Sequence, residues 1–266
     1  MSDYLIEMIN VSKKFGGKTV LKDINISIKQ GQSIALLGHN GCGKSTLLRI
    51  ICKLTNIDSG QINYNGKLKF NYVPENFPKM DVTAAQYIKH IGLIEGISHK
   101  VLEEKSRELF QEFFLEDMVD KPMKHLSKGT LQKIGVIQAL LTKPDVLLLD
   151  EPLSGQDIES QRVFISLVRE LNAEGVTIIM SCHERFLVNM LSNVVYEIKN
   201  KNIEKIEMNK LSTYEYDVLT FLNHKKDISI NPDIMELVDK VDREHNKTTI
   251  VVKRENSNVL IKNDGK

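Results

Sequence analysis

Residues 38 to 45 read Gly38-His39-Asn40-Gly41-Cys42-Gly43-Lys44-Ser45 and match the phosphate-binding pattern G-x-x-x-x-G-K-[ST]. The preceding run, 33–37, is short and apolar, which predicts a buried strand. The following run, 46–54, contains neither Gly nor Pro and favours a helix. Because a strand and a helix must flank such a loop, the sequence predicts a nucleotide-binding loop at this point.

The residue types in this loop suit a phosphate ligand. Gly38, Gly41 and Gly43 allow the backbone to wrap closely and to turn its N–H groups inward. The N-terminus of the following helix adds partial positive charge. We expect Lys44 to reach the outer phosphates and the hydroxyl of Ser45 to bind Mg²⁺. The residues expected to bind the nucleotide here are Gly38, His39, Asn40, Gly41, Cys42, Gly43, Lys44, Ser45 and Thr46.

The composition is that of an ordinary globular protein. Hydrophobic residues make up 41% of the 266 residues, and the formal net charge of +1 predicts no nucleic-acid partner. No apolar run approaches the length of a membrane span, and residues 1–10 lack the features of a signal peptide. Cys42, Cys52 and Cys182 show no metal-ligand spacing. We therefore expect a cytosolic protein.

Three segments near the N-terminus predict a small antiparallel sheet. Residues 4–11, 20–28 and 61–64 alternate apolar and polar side chains, and Gly-containing turns separate them. A further short strand is predicted at 70–73.

Residues 82–115 have mostly helical spacing, with breaks expected near Gly92 and Gly96. They predict an inserted helical subdomain at about 76–142. From Pro144 onward, buried strands alternate with helices, which is typical of a parallel sheet covered on both faces. The predicted strands are 146–149, 176–180, 194–198 and 202–206, and the predicted helices are 157–173 and 184–191.

The composition shifts after Lys210 toward Asn, Lys and Asp. We therefore expect a main domain at 1–208 and a small accessory extension at 209–266. In that extension, 228–241 favours a helix, whereas 248–252 and 259–261 favour strands. The predicted fold class is α/β, with a mainly parallel core sheet around the phosphate loop.

Two more segments carry groups suited to phosphate chemistry. Asp150 and Glu151 follow the buried strand 146–149, and ligands of open α/β sheets bind at that end of the strands. Asp150 can hold Mg²⁺ through its water shell, and Glu151 can accept a proton from a water that attacks a phosphate. His183 follows the next strand and places an imidazole at the same edge.

A third segment, Leu126-Ser127-Lys128-Gly129-Thr130-Leu131-Gln132-Lys133, precedes a helix that extends to about Leu141. Here the sequence resembles the ATP-binding-cassette family, whose signature is L-S-G-G-Q-x-x-R/K. The resemblance extends from about Val11 to about Ile206, and the motifs occur in the family's order.

The resemblance implies a role for several residues. Phe15 matches the aromatic residue that stacks on adenine. Ser127 and Gly129 match signature residues that bind the γ-phosphate held by a second subunit, which suits a hydroxyl and a bare N–H at a helix N-terminus. Asp157 matches an aspartate that contacts the partner's site, and it could equally be a plain helix N-cap. His183 matches the histidine that contacts the γ-phosphate.

This chain departs from the family pattern at four positions. Glu75 replaces the usual loop glutamine; its carboxylate can still bind Mg²⁺ but adds negative charge beside the phosphates. Lys128 and Thr130 replace Gly and Gln of the signature, and Gln156 stands where Leu is usual. Glu75 together with the Ser-Lys-Gly signature resembles the branch that powers exporters. We expect an active ATPase, with Lys44, Glu151 and His183 as its catalytic residues.

The resemblance implies a cytosolic ATPase subunit that dimerises head to tail, with itself or with a second ATPase subunit. It would bind Mg·ATP and sit on the inner face of the membrane through separate transmembrane permease subunits, which the helical region after Glu75 would contact. One alternative is a soluble ATPase of this family that acts on ribosomes or DNA, although a single phosphate loop and the charge balance disfavour it. A phosphate-loop kinase would leave 126–133 unexplained.

Overall fold

The computed structural model describes residues 4–183 and 185–207 and, further along, three strands at 216–222, 238–244 and 247–253. The chain divides into two compact units, Met1–Met208 and Asn209–Lys266. In chain order, the first unit contains β1 (Ile6–Phe15), β2 (Lys18–Ile28), β3 (Ser33–Leu37), α1 (Lys44–Ile51), β4 (Ser59–Tyr64), β5 (Phe70–Val73), α2 (Ala84–Ile94), α3 (His99–Glu112), α4 (Lys128–Leu140), β6 (Val146–Asp150), α5 (Ile158–Ala173), β7 (Thr177–Ser181), α6 (Arg185–Leu191), β8 (Val194–Lys199) and β9 (Asn202–Ile206).

The core of the first unit is a six-stranded sheet with strand order β5-β6-β7-β3-β8-β9. The first five strands of that order are parallel, and β9 pairs antiparallel with β8. Every residue of β6 and β7 is buried, as their mainly apolar sequences predict. The predicted α/β fold with a mainly parallel sheet is therefore confirmed.

The sheet brings four loops to one edge. The phosphate loop follows β3, the Pro74–Glu75 segment follows β5, Glu151 follows β6, and His183 comes two residues after β7. Parallel pairing places Asp150 opposite Ser181 at the ends of β6 and β7. Ser45 and Asp150, which lie 105 positions apart in sequence, are thus neighbours at the carboxyl ends of the strands.

The predicted antiparallel sheet is confirmed, with strand order β2-β1-β4. Its strands β1 and β2 are longer than predicted, because they continue to a tight turn in which Phe15 pairs with Lys18. Gly16 and Gly17 form that turn with φ of 53° and 78°, values that favour glycine and match the twist of a hairpin.

The prediction of a helix break near Gly92 is wrong. Helix α2 continues through Gly92, and the Leu102 side chain of α3 lies where a Cβ on Gly92 would stand. This glycine therefore allows two helices to pack closely and does not end one. The predicted break near Gly96 is confirmed, because Gly96 has φ of 80° and follows the end of α2.

The second unit contains β10 (Tyr216–Leu222), β11 (Val238–Glu244) and β12 (Lys247–Lys253), in the antiparallel order β10-β12-β11. The predicted strand 248–252 lies within β12. The predicted helix 228–241 is wrong over 238–241, which pair with β12, so strand pairing overrides the local helical spacing. Residues 228–237 and the predicted strand 259–261 lie outside the described residues.

Across the part of the chain that the structure describes, the search for a helix long and apolar enough to cross a membrane finds none.

Two adjacent phenylalanines provide a test of the core of the helical region. Phe113 is fully buried where α3 ends, whereas Phe114 is 56% exposed. Phe113→Ala should lower the free energy of unfolding by about 3–5 kcal/mol, because it removes a buried ring and leaves a cavity. Phe114→Ala should change it by less than about 0.5 kcal/mol. Urea unfolding of both variants measures the difference, and equal effects would contradict this packing.

Candidate nucleotide-binding site

The phosphate loop adopts a conformation that requires its glycines. Gly38, Gly41 and Gly43 have φ of 143°, 77° and 114°. A Cβ on Gly38 would lie 2.7 Å from the carbonyl oxygen of Ile198, and one on Gly43 would lie 2.8 Å from Cδ2 of Leu21. The loop is therefore fixed by close packing against β8 and β2.

The buried Lys44 lies at the centre of the site. Its Nζ donates a hydrogen bond to the carbonyl oxygen of Gly38 at 2.9 Å, and it lies 3.2 Å from Nε2 of His183 and 3.7 Å from Oε1 of Glu151. His183 Nε2 is in turn 3.0 Å from the same Glu151 oxygen. A cation, a carboxylate and an imidazole from three separate segments thus meet at one point.

The backbone of Glu151 is strained in a way that aims its carboxylate into the site. Its φ of 49° is unusual for a residue other than glycine. Its N–H lies 3.1 Å from both the carbonyl oxygen and the Oγ of Ser181, which fixes this conformation. Strain of this kind is characteristic of functional sites, where surrounding contacts hold the residue in place.

The carboxylate of Asp150 accepts hydrogen bonds from three elements. Ser45 donates to Oδ1 at 3.0 Å and Ser181 donates to Oδ1 at 2.7 Å, while the hydroxyl of Tyr72 donates to Oδ2 at 3.1 Å. Burial raises the pKa of Tyr72 to about 12, so its hydroxyl stays protonated, and able to donate, well above neutral pH. Arg49 Nε donates to the same hydroxyl at 3.4 Å.

Ser45 and Asp150 present oxygen atoms suited to Mg²⁺, which prefers few protein ligands and retains water. Within the described residues, the search for three or more His, Cys, Asp or Glu placed to hold a metal ion finds none. A hydroxyl beside a carboxylate fits a Mg²⁺ ion whose other ligands would be phosphate oxygens and water.

A cavity of about 730 Å³ lies over these groups. Among the described residues, its lining comprises Val20, Asn40, Gly41, Gly43, Lys44, Ser45, Thr46, Glu75, Glu151, Ser154 and His183. The predicted residues outside this lining are Phe15, Gly38, His39, Cys42, Ser127, Gly129, Asp150 and Asp157. Of these, Asp150 lies beneath the floor, bonded to Ser45, and Phe15 is 51% exposed at the hairpin tip of β1.

Sequence reasoning assigned no role to Val20, Ser154, Tyr72 or Ser181. Tyr72 and Ser181 lie at or next to the ends of β5 and β7, so the parallel order of the strands could have identified them as neighbours of Asp150. Val20 reaches the cavity from β2 in the other sheet, and no local pattern indicates that approach.

A second surface lies at the N-termini of α4 and α5, where Ser127 and Asp157 are exposed, whereas Gly129 is buried. Ser127 caps α4 and accepts a hydrogen bond from the N–H of Thr130 at 3.1 Å. Gly129 contacts the carbonyl oxygen of Gly155, and this contact leaves no room for a side chain. The signature helix therefore packs directly on the segment that leads to Asp157.

Asp157 is the N-cap of α5, as one interpretation predicted. It accepts a hydrogen bond from the N–H of Ser160 at 2.8 Å and pairs with Nζ of Lys133 at 2.7 Å. Burial acts to raise the pKa of Asp157, but the hydrogen bonds from Lys133 and Ser160 outweigh it and hold that pKa well below its usual value. Asp157 thus remains charged and ties α5 to α4.

Comparison with known proteins identifies the family. Residues 21–154 match the family described as ABC transporter. The zinc import ATP-binding protein ZnuC of Pseudomonas fluorescens is 32% identical over 189 residues, covering 71% of this chain and 71% of that protein. The spermidine/putrescine import ATP-binding protein PotA of Spiroplasma citri is 31% identical over 220 residues, covering 77% of this chain and 62% of PotA.

A solved structure of the ATP-binding subunit of an ABC transporter superposes with a TM-score of 0.71 at 26% identity, covering 77% of this chain and 91% of that one. Both curated relatives are import proteins, so the exporter-like branch finds no support in them and stays a prediction. Since the family match, the two relatives and the fold agree, the chain belongs to the ABC transporter family and carries its ATPase domain.

Proposed function

We propose that this chain is the ATP-binding and ATP-hydrolysing subunit of an ABC transporter, peripheral to the cytoplasmic face of the membrane. Its 1–208 unit would be the nucleotide-binding domain and 209–266 an accessory extension. The observation that carries the proposal is the meeting of Lys44, Glu151 and His183 within 3.7 Å beside the phosphate loop. The cavity of about 730 Å³ above them is lined by five residues of that loop, of which Lys44 is one, and by Thr46.

Several groups in and beside the cavity have a defined task in hydrolysis. The loop N–H groups and Lys44 bind the β- and γ-phosphates. Ser45 and Asp150 would hold Mg²⁺, which would supply positive charge against that of the phosphates. Glu151 accepts a proton from the attacking water, and His183 orients the γ-phosphate. Glu75, which lines the cavity, would offer a further carboxylate oxygen to Mg²⁺.

The position of the signature favours a head-to-tail dimer. Ser127 and Gly129 lie outside the lining of the cavity. They lie at the N-terminus of α4, where a hydroxyl and the backbone N–H of a glycine suit an anion. A second ATPase subunit, either another copy or a related chain, would place its own signature over this cavity. Asp157 lies on the same surface and would contact the partner's site.

Permease subunits in the membrane are the proposed partners, and α2 and α3 are the proposed docking region. Three apolar side chains are exposed in this region: Ile94 at the end of α2, Val101 on α3 and Phe114 just after α3. Export stays a prediction from Glu75 and the Ser-Lys-Gly signature, whereas the curated relatives are import proteins.

Lys44→Ala should weaken ATP binding by roughly 10- to 100-fold, because it removes a charge-assisted bond to the phosphates. Lys143→Ala is the matched control, since Lys143 is exposed and pairs with Glu174 away from the cavity. Isothermal titration with Mg·ATP measures both affinities. Wild-type affinity in Lys44→Ala would contradict the assignment of the phosphate loop.

Glu151→Gln should bind ATP and lose turnover by at least roughly 100-fold, because the amide keeps the shape of the side chain but cannot accept the proton. Trapped ATP should then hold two subunits together. Size-exclusion chromatography with Mg·ATP detects the dimer, and adding Ser127→Arg should abolish it. Hydrolysis at the wild-type rate would remove Glu151 from the role of base.

A further inference from the structure

Two departures from the family pattern contact each other in this chain. Glu75 stands in place of the usual glutamine, and Lys128 stands in place of a signature glycine. The two residues are 53 positions apart, yet Nζ of Lys128 lies 3.8 Å from Oε1 of Glu75. At these two positions, the chain thus places an ammonium group beside a carboxylate.

A second contact fixes the same loop to the same helix. Gln132 follows Lys128 by one helical turn on α4, and its Nε2 donates to the carbonyl oxygen of Pro74 at 3.0 Å. Gln132 is fully buried, so this hydrogen bond is shielded from water. Two side chains on one face of α4, Lys128 and Gln132, therefore contact the consecutive residues Glu75 and Pro74.

Each charge would be unfavourable without the other. Lys128 is the first residue of α4, where the helix dipole disfavours a positive charge. Glu75 lines the cavity, where a carboxylate would repel the phosphates of a nucleotide. Placed together, the ammonium offsets the charge of the carboxylate, and the carboxylate offsets the repulsion at the helix N-terminus.

We propose that Lys128 is a positioning residue that holds Glu75 by an ion pair and shields the nucleotide from its charge. This pair links α4 to the loop that carries Glu75. The effect on ATP rests on the proposed function, whereas the contact itself does not. Two measurements therefore test them separately.

The contact is tested by zero-length cross-linking of the nucleotide-free protein. A water-soluble carbodiimide joins a carboxylate to a neighbouring amine with loss of water, and mass spectrometry should detect a Glu75–Lys128 amide. The control is the Lys143–Glu174 pair, which has similar exposure and a separation of 2.8 Å. A Lys143–Glu174 product without a Glu75–Lys128 product would overturn the ion pair.

The shielding is tested by a double-mutant cycle in ATP affinity at low salt. Lys128→Gln should weaken binding about two- to five-fold, because it leaves the Glu75 charge uncompensated. In a Glu75→Gln background the same change should have little effect. Lys128→Arg keeps the charge and should retain wild-type affinity, and raising the ionic strength should reduce the loss in Lys128→Gln.

An equal loss from Lys128→Gln in both backgrounds would show that Lys128 acts independently of Glu75 and would overturn the shielding. No loss in either background would overturn it as well. A wild-type protein that forms the cross-link but binds no ATP would refute both the proposed function and the shielding, while the ion pair would stand.

Discussion

The arrangement of the site depends on the carboxylate of Asp150. This buried group accepts hydrogen bonds from Ser45 on α1, from Ser181 at the end of β7 and from Tyr72 on β5. A buried carboxylate is costly unless such bonds satisfy it, and here they fix the relative positions of three neighbouring elements. The phosphate loop, which leads directly into α1, is thereby held in register with the strand ends that carry Glu151 and His183.

Above Asp150, a cation, a carboxylate and an imidazole lie in contact at the phosphate loop. Lys44 lies against Glu151 and His183, so its positive charge is partly satisfied before any phosphate binds. A nucleotide would take over these contacts and release Glu151 to act on water. The strained backbone of Glu151, held by Ser181, keeps the carboxylate close enough for this exchange. In the proposed dimer, the N-terminus of α4 from the second subunit would lie over the phosphates.

Much of this site could be predicted from the sequence because its parts are local. The phosphate loop is one uninterrupted segment, and Asp150, Glu151 and His183 follow buried strands whose apolar runs are unambiguous. The Glu75–Lys128 pair and the Tyr72–Asp150 bond could not, because they join segments whose separation in space depends on strand order and helix packing. Gly92 illustrates the same limit: local sequence interprets a glycine as a helix breaker, but here it allows a neighbouring helix to pack closely.

In the proposed function, the triphosphate of ATP lies in the cavity, against residues 38–46. Hydrogen–deuterium exchange with and without Mg·ATP measures this directly, because the loop amides would donate to phosphate oxygens. We predict slower exchange for the amides of residues 39–46 on nucleotide binding, with exchange unchanged in α3, which contributes no residue to the cavity. Protection confined to another part of the chain, or no protection at saturating ATP, would contradict the account.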